Sequence, residues 1–76
     1  MTAPRLTRFF FHIVGDGQAY RDEQGEVFSS LQAAQSHGVR IAHELRHDAY
    51  QGCAVCVTDA AGAELARVPI GGADQN

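Results

Sequence analysis

From Arg8 to Val14 the chain is almost wholly apolar, and Phe9, Phe11 and Ile13 alternate with Phe10, His12 and Val14. Alternation sends successive side chains to opposite faces of a strand, so this strand is apolar on both sides. Gly15-Asp16-Gly17 closes it as a turn. Two shorter runs, Gln18–Arg21 and Glu26–Phe28, flank the polar tetrad Asp22-Glu23-Gln24-Gly25, and the pattern predicts a hairpin of short strands.

The period then changes. From Leu31 to about Asp48, apolar or small residues recur at Leu31, Ala34, Gly38, Ile41, Ala42, Leu45 and Ala49, the spacing of one buried helical stripe. Ser29 or Ser30 offers a hydroxyl to the first free amides, and Ser29 with Gln32 fits a capping box. Gly38 falls on the stripe and weakens the helix by roughly 1 kcal/mol relative to alanine; a close helix-to-sheet approach would account for it, and so would a tolerated imperfection. Gly52 is placed to terminate the helix in a left-handed conformation. Cys53–Thr58 then reads as a strand, Asp59-Ala60-Ala61-Gly62 as a hairpin connection and Ala63–Ile70 as its partner. Pro69 cannot donate to a ladder, which puts this last strand at an edge.

The order β-β-β-α-β-β defines an α+β domain: a small antiparallel sheet of four or five strands with one helix packed on one face. Residues 8–70 form the single domain, with 1–7 and 71–76 as flexible termini. The sequence leaves open which row of the first strand meets the helix. The other row is expected to be an exposed aromatic patch, which predicts self-association as a homodimer unless Leu6 or Ile70 folds over it.

Length and charge narrow the field. With 76 residues the chain buries only about 60% of the surface it exposes when unfolded, leaving room for one core and one site at most. The six basic residues are all arginine, scattered through a chain of net charge −3, so no basic stripe is available for nucleic acid. Absence of lysine points to a GC-rich source genome. No run approaches the roughly 20 apolar residues of a membrane helix, and Phe9–Val14 is too short for a signal peptide, carries a histidine and precedes no small-residue cleavage site. A soluble, cytoplasmic protein with reduced cysteines is the expectation.

His43-Glu44-Leu45-Arg46-His47 matches H-E-x-x-H, in which two histidines one turn apart hold zinc and the glutamate activates water. The apolar stripe places His43 and His47 near the opposite, solvated side of the helix. A third ligand is also needed, and the acidic candidates Asp59 and Glu64 further along belong to the final hairpin beneath the helix. Cys53-Ala54-Val55-Cys56 has C-x-x-C spacing, but residues three apart in a strand face opposite ways and no second pair completes four ligands. His12 sits mid-strand with Phe10 and Val14, as surface or interface histidines do. Asp22-Glu23-Gln24-Gly25 lacks the alternating oxygens of a calcium loop, and Gly15-Asp16-Gly17 opens no helix that could cradle phosphate.

Arg8-Phe9-Phe10-Phe11-His12, Gly15-Asp16-Gly17, Asp22-Glu23-Gln24-Gly25, Leu31-Gln32-Ala33-Ala34, Val57-Thr58-Asp59-Ala60-Ala61-Gly62 and Val68-Pro69-Ile70 together carry a resemblance. Over residues 8 to 70 the chain resembles a family of short bacterial proteins of unknown function, common in GC-rich proteobacteria, that open with Arg-Tyr-Phe-Phe and carry an Asp-Glu-x-Gly turn. The resemblance implies a fold and a cytosolic setting but supplies no catalytic residues. Histidines at positions 43 and 47 are not part of that family's pattern.

These readings converge on a non-enzymatic binding or interaction module, acting through a sheet face or edge, with no cofactor, no metal and no catalytic residue. A homodimer or another protein is the expected partner. Two alternatives stand beside it: a zinc-dependent hydrolase using His43, Glu44 and His47, and an antitoxin-like partner domain.

Overall fold

The computed structural model describes residues 5–15, 17–46, 50 and 52–71. Strand β1 (Thr7–Gly15) forms the centre, because its two apolar rows let it be covered on both sides. Phe9 and Phe11 are buried and Ile13 packs against the same core, so this row faces the helix and Phe10, His12 and Val14 face away. Strand β4 (Ala54–Thr58) pairs antiparallel with β1, from Phe10 opposite Thr58 to Val14 opposite Ala54. Strand β5 (Glu64–Pro69) pairs with β4 and ends the sheet on that side, as Pro69 requires. Strands β2 (Gln18–Tyr20) and β3 (Glu26–Phe28) complete a five-stranded sheet ordered β2-β1-β4-β5, with β3 on β1. One helix, α1 (Leu31–Leu45), packs on it, and the α+β architecture read from the sequence holds.

The predicted hairpin between β2 and β3 does not form. Each pairs with β1 instead, β2 along Ile13–Gly15 and β3 along Thr7–Phe9. Together they act as one interrupted strand whose five intervening residues, 21–25, span only the three positions Phe10–His12. What replaces the missing ladder there is a side chain: the Phe11 N–H donates to Asp22 Oδ2 at 3.1 Å. The extra length is turned back at Gly25, whose φ of +69° favours glycine and where a Cβ would stand 2.7 Å from the Phe9 carbonyl oxygen.

Helix α1 starts at Ser30, whose Oγ accepts from the Ala33 N–H at 3.1 Å; the alternative box through Ser29 and Gln32 is not used. Its buried residues are Ala34, Gly38 and Ala42, with Ile41 and Leu45 half-buried beside them. The contact line is therefore made of small residues, which bring the helix axis close to the sheet. A Cβ on Gly38 would lie 3.4 Å from Val57 Cγ2 and 3.7 Å from Val68 Cγ2, so the close approach is real yet leaves room for one methyl group. Leu31, expected on the buried stripe, is 37% exposed, since the first turn follows directly on the three-residue β3 and overhangs little sheet. His37 fills that flank instead, its ring 4.9 Å from Phe11 edge-on and 5.2 Å from Phe28, with Nε2 3.4 Å from the Glu26 carboxylate.

The helix as described stops at Leu45, with Arg46 Nη1 donating to the His43 carbonyl at 2.7 Å. His47, Asp48 and Ala49, over which the sequence extends the helix, lie outside the described residues, as do 1–4 and 72–76 of the expected flexible termini. Gly52 does have a positive φ, but it serves the turn into β4, donating to the Ile70 carbonyl, rather than the helix end. The Asp59–Gly62 connection forms as predicted: Asp59 Oδ1 accepts from the Ala61 and Ala63 amides, each at 2.9 Å. Ile70, beyond β5, is fully buried, and its N–H donates to the Cys53 carbonyl at 2.8 Å.

Candidate functional site

The face of the sheet away from α1 carries a hydrogen-bonded chain of three residues. His12 Nδ1 receives the Asp22 backbone N–H at 3.0 Å, and its Nε2 lies 3.1 Å from Thr58 Oγ1. A backbone N–H can only donate, so Nδ1 carries no proton and the neutral ring holds its proton on Nε2, which then donates to the threonine oxygen. The trio superficially matches an acid, a base and a hydroxyl nucleophile, but the wiring is wrong for that chemistry. A nitrogen that donates to Thr58 cannot take its proton. The Asp22 carboxylate does not touch the ring's other nitrogen; it accepts from Phe11 through Oδ2 and from Gln24 and Gly25 through Oδ1, at 3.2 and 3.0 Å. Burial pushes this carboxyl up, but the three backbone donors, with the nearby His12 ring, outweigh it and hold Asp22 below its ordinary value.

Phe10 stacks parallel to His12, 6.3 Å between centroids, and the 21–25 segment folds against it. The outer row is thus a half-buried surface rather than the exposed aromatic patch anticipated. Neither Leu6, which is exposed, nor Ile70, which enters the core on the other side, supplies the cover. What remains open is a cleft of about 350 Å³ between the 21–25 segment and the β4–β5 connection, floored by Phe10, His12 and Thr58. Sequence reading missed Asp22 as its organiser. The signal was an Asp three residues before a glycine in a turn, whose carboxylate can reach amides that no strand supplies.

The other sequence candidates are dispersed. His43 and Glu44 are both exposed; His43 lines a groove toward β5, and His47 lies outside the described residues. Among the described residues no three His, Cys, Asp or Glu side chains gather closely enough to hold a metal ion. Cys53 packs against the core while Cys56 stands opposite His12 on the other face, and both are free thiols. Burial, with a hydrogen bond to the Glu64 carboxylate, pushes the Cys56 thiol up, which keeps it protonated and unreactive.

A second open surface lies on the β5 side. Val39, Ala42 and His43 of α1, with Arg46 just past its end, face Val68 and Pro69 across an apolar groove of about 350 Å³. Val39 is 54% exposed there, and Leu65 is exposed on the strand itself. On the opposite face of β5, Arg67 clasps Glu64 through two bonds, Nε to Oε2 at 3.0 Å and Nη2 to Oε1 at 2.9 Å. That clasp holds the Glu64 carboxyl below its usual range.

A five-stranded antiparallel sheet with one helix laid on it through small residues, and a side-chain cluster built into its open face, defines a small α+β domain. Residues 8–71 match the family DUF6894, described as a domain of unknown function, and the chain belongs to that family. No curated protein and no solved structure matches it. Among the described residues no helix is long and apolar enough to cross a membrane.

Proposed function

We propose that the domain is a non-enzymatic module for protein association in the cytoplasm of a GC-rich proteobacterium, and that its first partner is a second copy of itself. The observation that carries this reading is the β5 side, where an edge strand of six residues borders an apolar groove containing the half-exposed Val39. An edge strand and an adjoining apolar groove offer backbone hydrogen bonds and side-chain contact together, which is how strands are added to sheets in recognition. The non-enzymatic part is supported by the His12 cluster. His12 Nδ1 accepts from the Asp22 amide and Nε2 donates to the Thr58 hydroxyl, leaving no free base beside a nucleophile. The opposite sheet edge is less suited to pairing, because β2 and β3 are short and interrupted by residues 21–25.

Light scattering across a dilution series tests the reading, with the parent and Val39→Asp compared. Val39 is exposed, so the substitution leaves the monomer folded while placing a charge in the groove. The parent should pass from two chains to one on dilution, and the variant should stay at one chain throughout. A parent that is monomeric at high micromolar concentration overturns the proposal.

A further inference from the structure

We infer that two copies join β5 to β5 antiparallel across a two-fold axis, with Glu64 of each copy opposite Arg67 of the other. The inference rests on the association reading above and assigns its surface. It begins with the direction of the backbone. The Ile70 N–H donates to Cys53, in continuation of the Ala54–Pro69 pairing, so Ile70 points its amide at β4. Amide direction alternates along a strand, so Val68 and Ala66 also turn inward while Pro69 and Arg67 turn to the open edge. Pro69 has no N–H to offer, and the outward row of donors starts at Arg67.

The irregularity in β5 then matters. Arg67 stands opposite Cys56 and Glu64 opposite Thr58, two residues along β4, so Leu65 is the extra residue of a bulge. Glu64 therefore shares with Arg67 both its outward backbone and its sheet face, as their ion pair requires. Antiparallel pairing centred between these two positions brings each Glu64 opposite an Arg67 of the other copy, with their amides and carbonyls aligned for exchange. Charged side chains, proline and bulges commonly guard an edge against pairing, and charges of one sign repel when two copies meet. This edge carries a pair of opposite sign that becomes complementary under a two-fold rotation.

The same operation places both helices on one face of a continuous sheet, beside the axis. The groove formed by Val39, Ala42, Val68 and Pro69 then faces its own copy, which accounts for an apolar side chain as exposed as Val39.

Charge reversal distinguishes this arrangement from any other. Glu64→Arg and Arg67→Glu each place like charges across the axis, and each should raise the dimer dissociation constant about tenfold or more. An equimolar mixture of the two variants sets arginine opposite glutamate at every cross-axis position, so dimer mass should return. Thermal melting of each variant confirms that the exposed substitutions leave the monomer folded. Variants that dimerise like the parent, or a mixture that stays monomeric, would overturn the β5 pairing while leaving association itself in place. A monomeric parent removes the association reading and this inference with it.

Discussion

Four hydrogen bonds meet at Asp22: its carboxylate accepts from Phe11, Gln24 and Gly25, and its own N–H goes to His12. In Asp22→Asn one oxygen can still serve Gln24 and Gly25, but the amide nitrogen would face the Phe11 N–H, donor against donor. The expected loss is about 1–3 kcal/mol, measured by urea denaturation at neutral pH. The carboxyl's depressed pKa fixes the pH dependence. Its stabilisation is fully present above the unfolded-state value of about 3.9 and is lost as pH falls through the lower folded value. The parent's advantage over Asp22→Asn should therefore shrink as pH drops below about 4, and an advantage that did not change with acid would contradict this account. Gly25→Ala should be as damaging, because it combines strain of about 1–3 kcal/mol with a contact against the Phe9 carbonyl that backbone cannot yield.

At the scale of elements, the helix face separates what pattern can reveal from what it cannot. Periodicity located α1 and its buried side, and Ala34, Gly38 and Ala42 all lie on the predicted stripe. Hydrophobicity, however, ranks Leu31 above alanine, while the sheet beneath selects for small residues where the layers are closest. Gly38→Ala therefore separates close packing from a lack of room. Its Cβ would make ordinary contact with Val57, so the helix-propensity gain should dominate, raising stability by about 0.5–1 kcal/mol. Each kcal/mol moves Tm by about 4–8 °C in a domain of this size, which a melting curve resolves. Gly38→Val should reverse the sign, because its methyls would press on Val57 and Val68 and cost about 1–3 kcal/mol. A destabilised Gly38→Ala would mean the sheet tolerates no side chain there.

For the whole molecule, strand existence and order were legible because turns and apolar runs punctuate the chain clearly. The partnering of β2 and β3 was not, since the pattern of a hairpin is identical to that of one strand broken by an excursion. Only the length of β1, nine residues with room for both, distinguishes them. The candidate site was harder still, because His12, Asp22 and Thr58 come from three segments and meet only through the β1–β4 register and the folding of residues 21–25 against β1. The H-E-x-x-H match, His43-Glu44-Leu45-Arg46-His47, is expected to be inert. Elemental analysis of untagged protein should find well under one zinc per chain, and Glu44→Gln should bind zinc no differently from the parent. Stoichiometric zinc lost in His43→Ala would sink that expectation.

The burial of Ile70 has a consequence for how the chain acquires its structure. β1 is made early, yet its central partner begins at Ala54, and Ile70, 1% exposed, is locked to Cys53 only after β5 has passed. A polypeptide emerging from a ribosome can form α1 but cannot close its core until nearly all of the domain has left the tunnel. Long-range pairings of this kind are slow to form and reward the chain only at the end. Folding is then a single late event rather than a progressive one, and released chains truncated after Arg67 should remain open to protease while those extending through Gly71 become resistant.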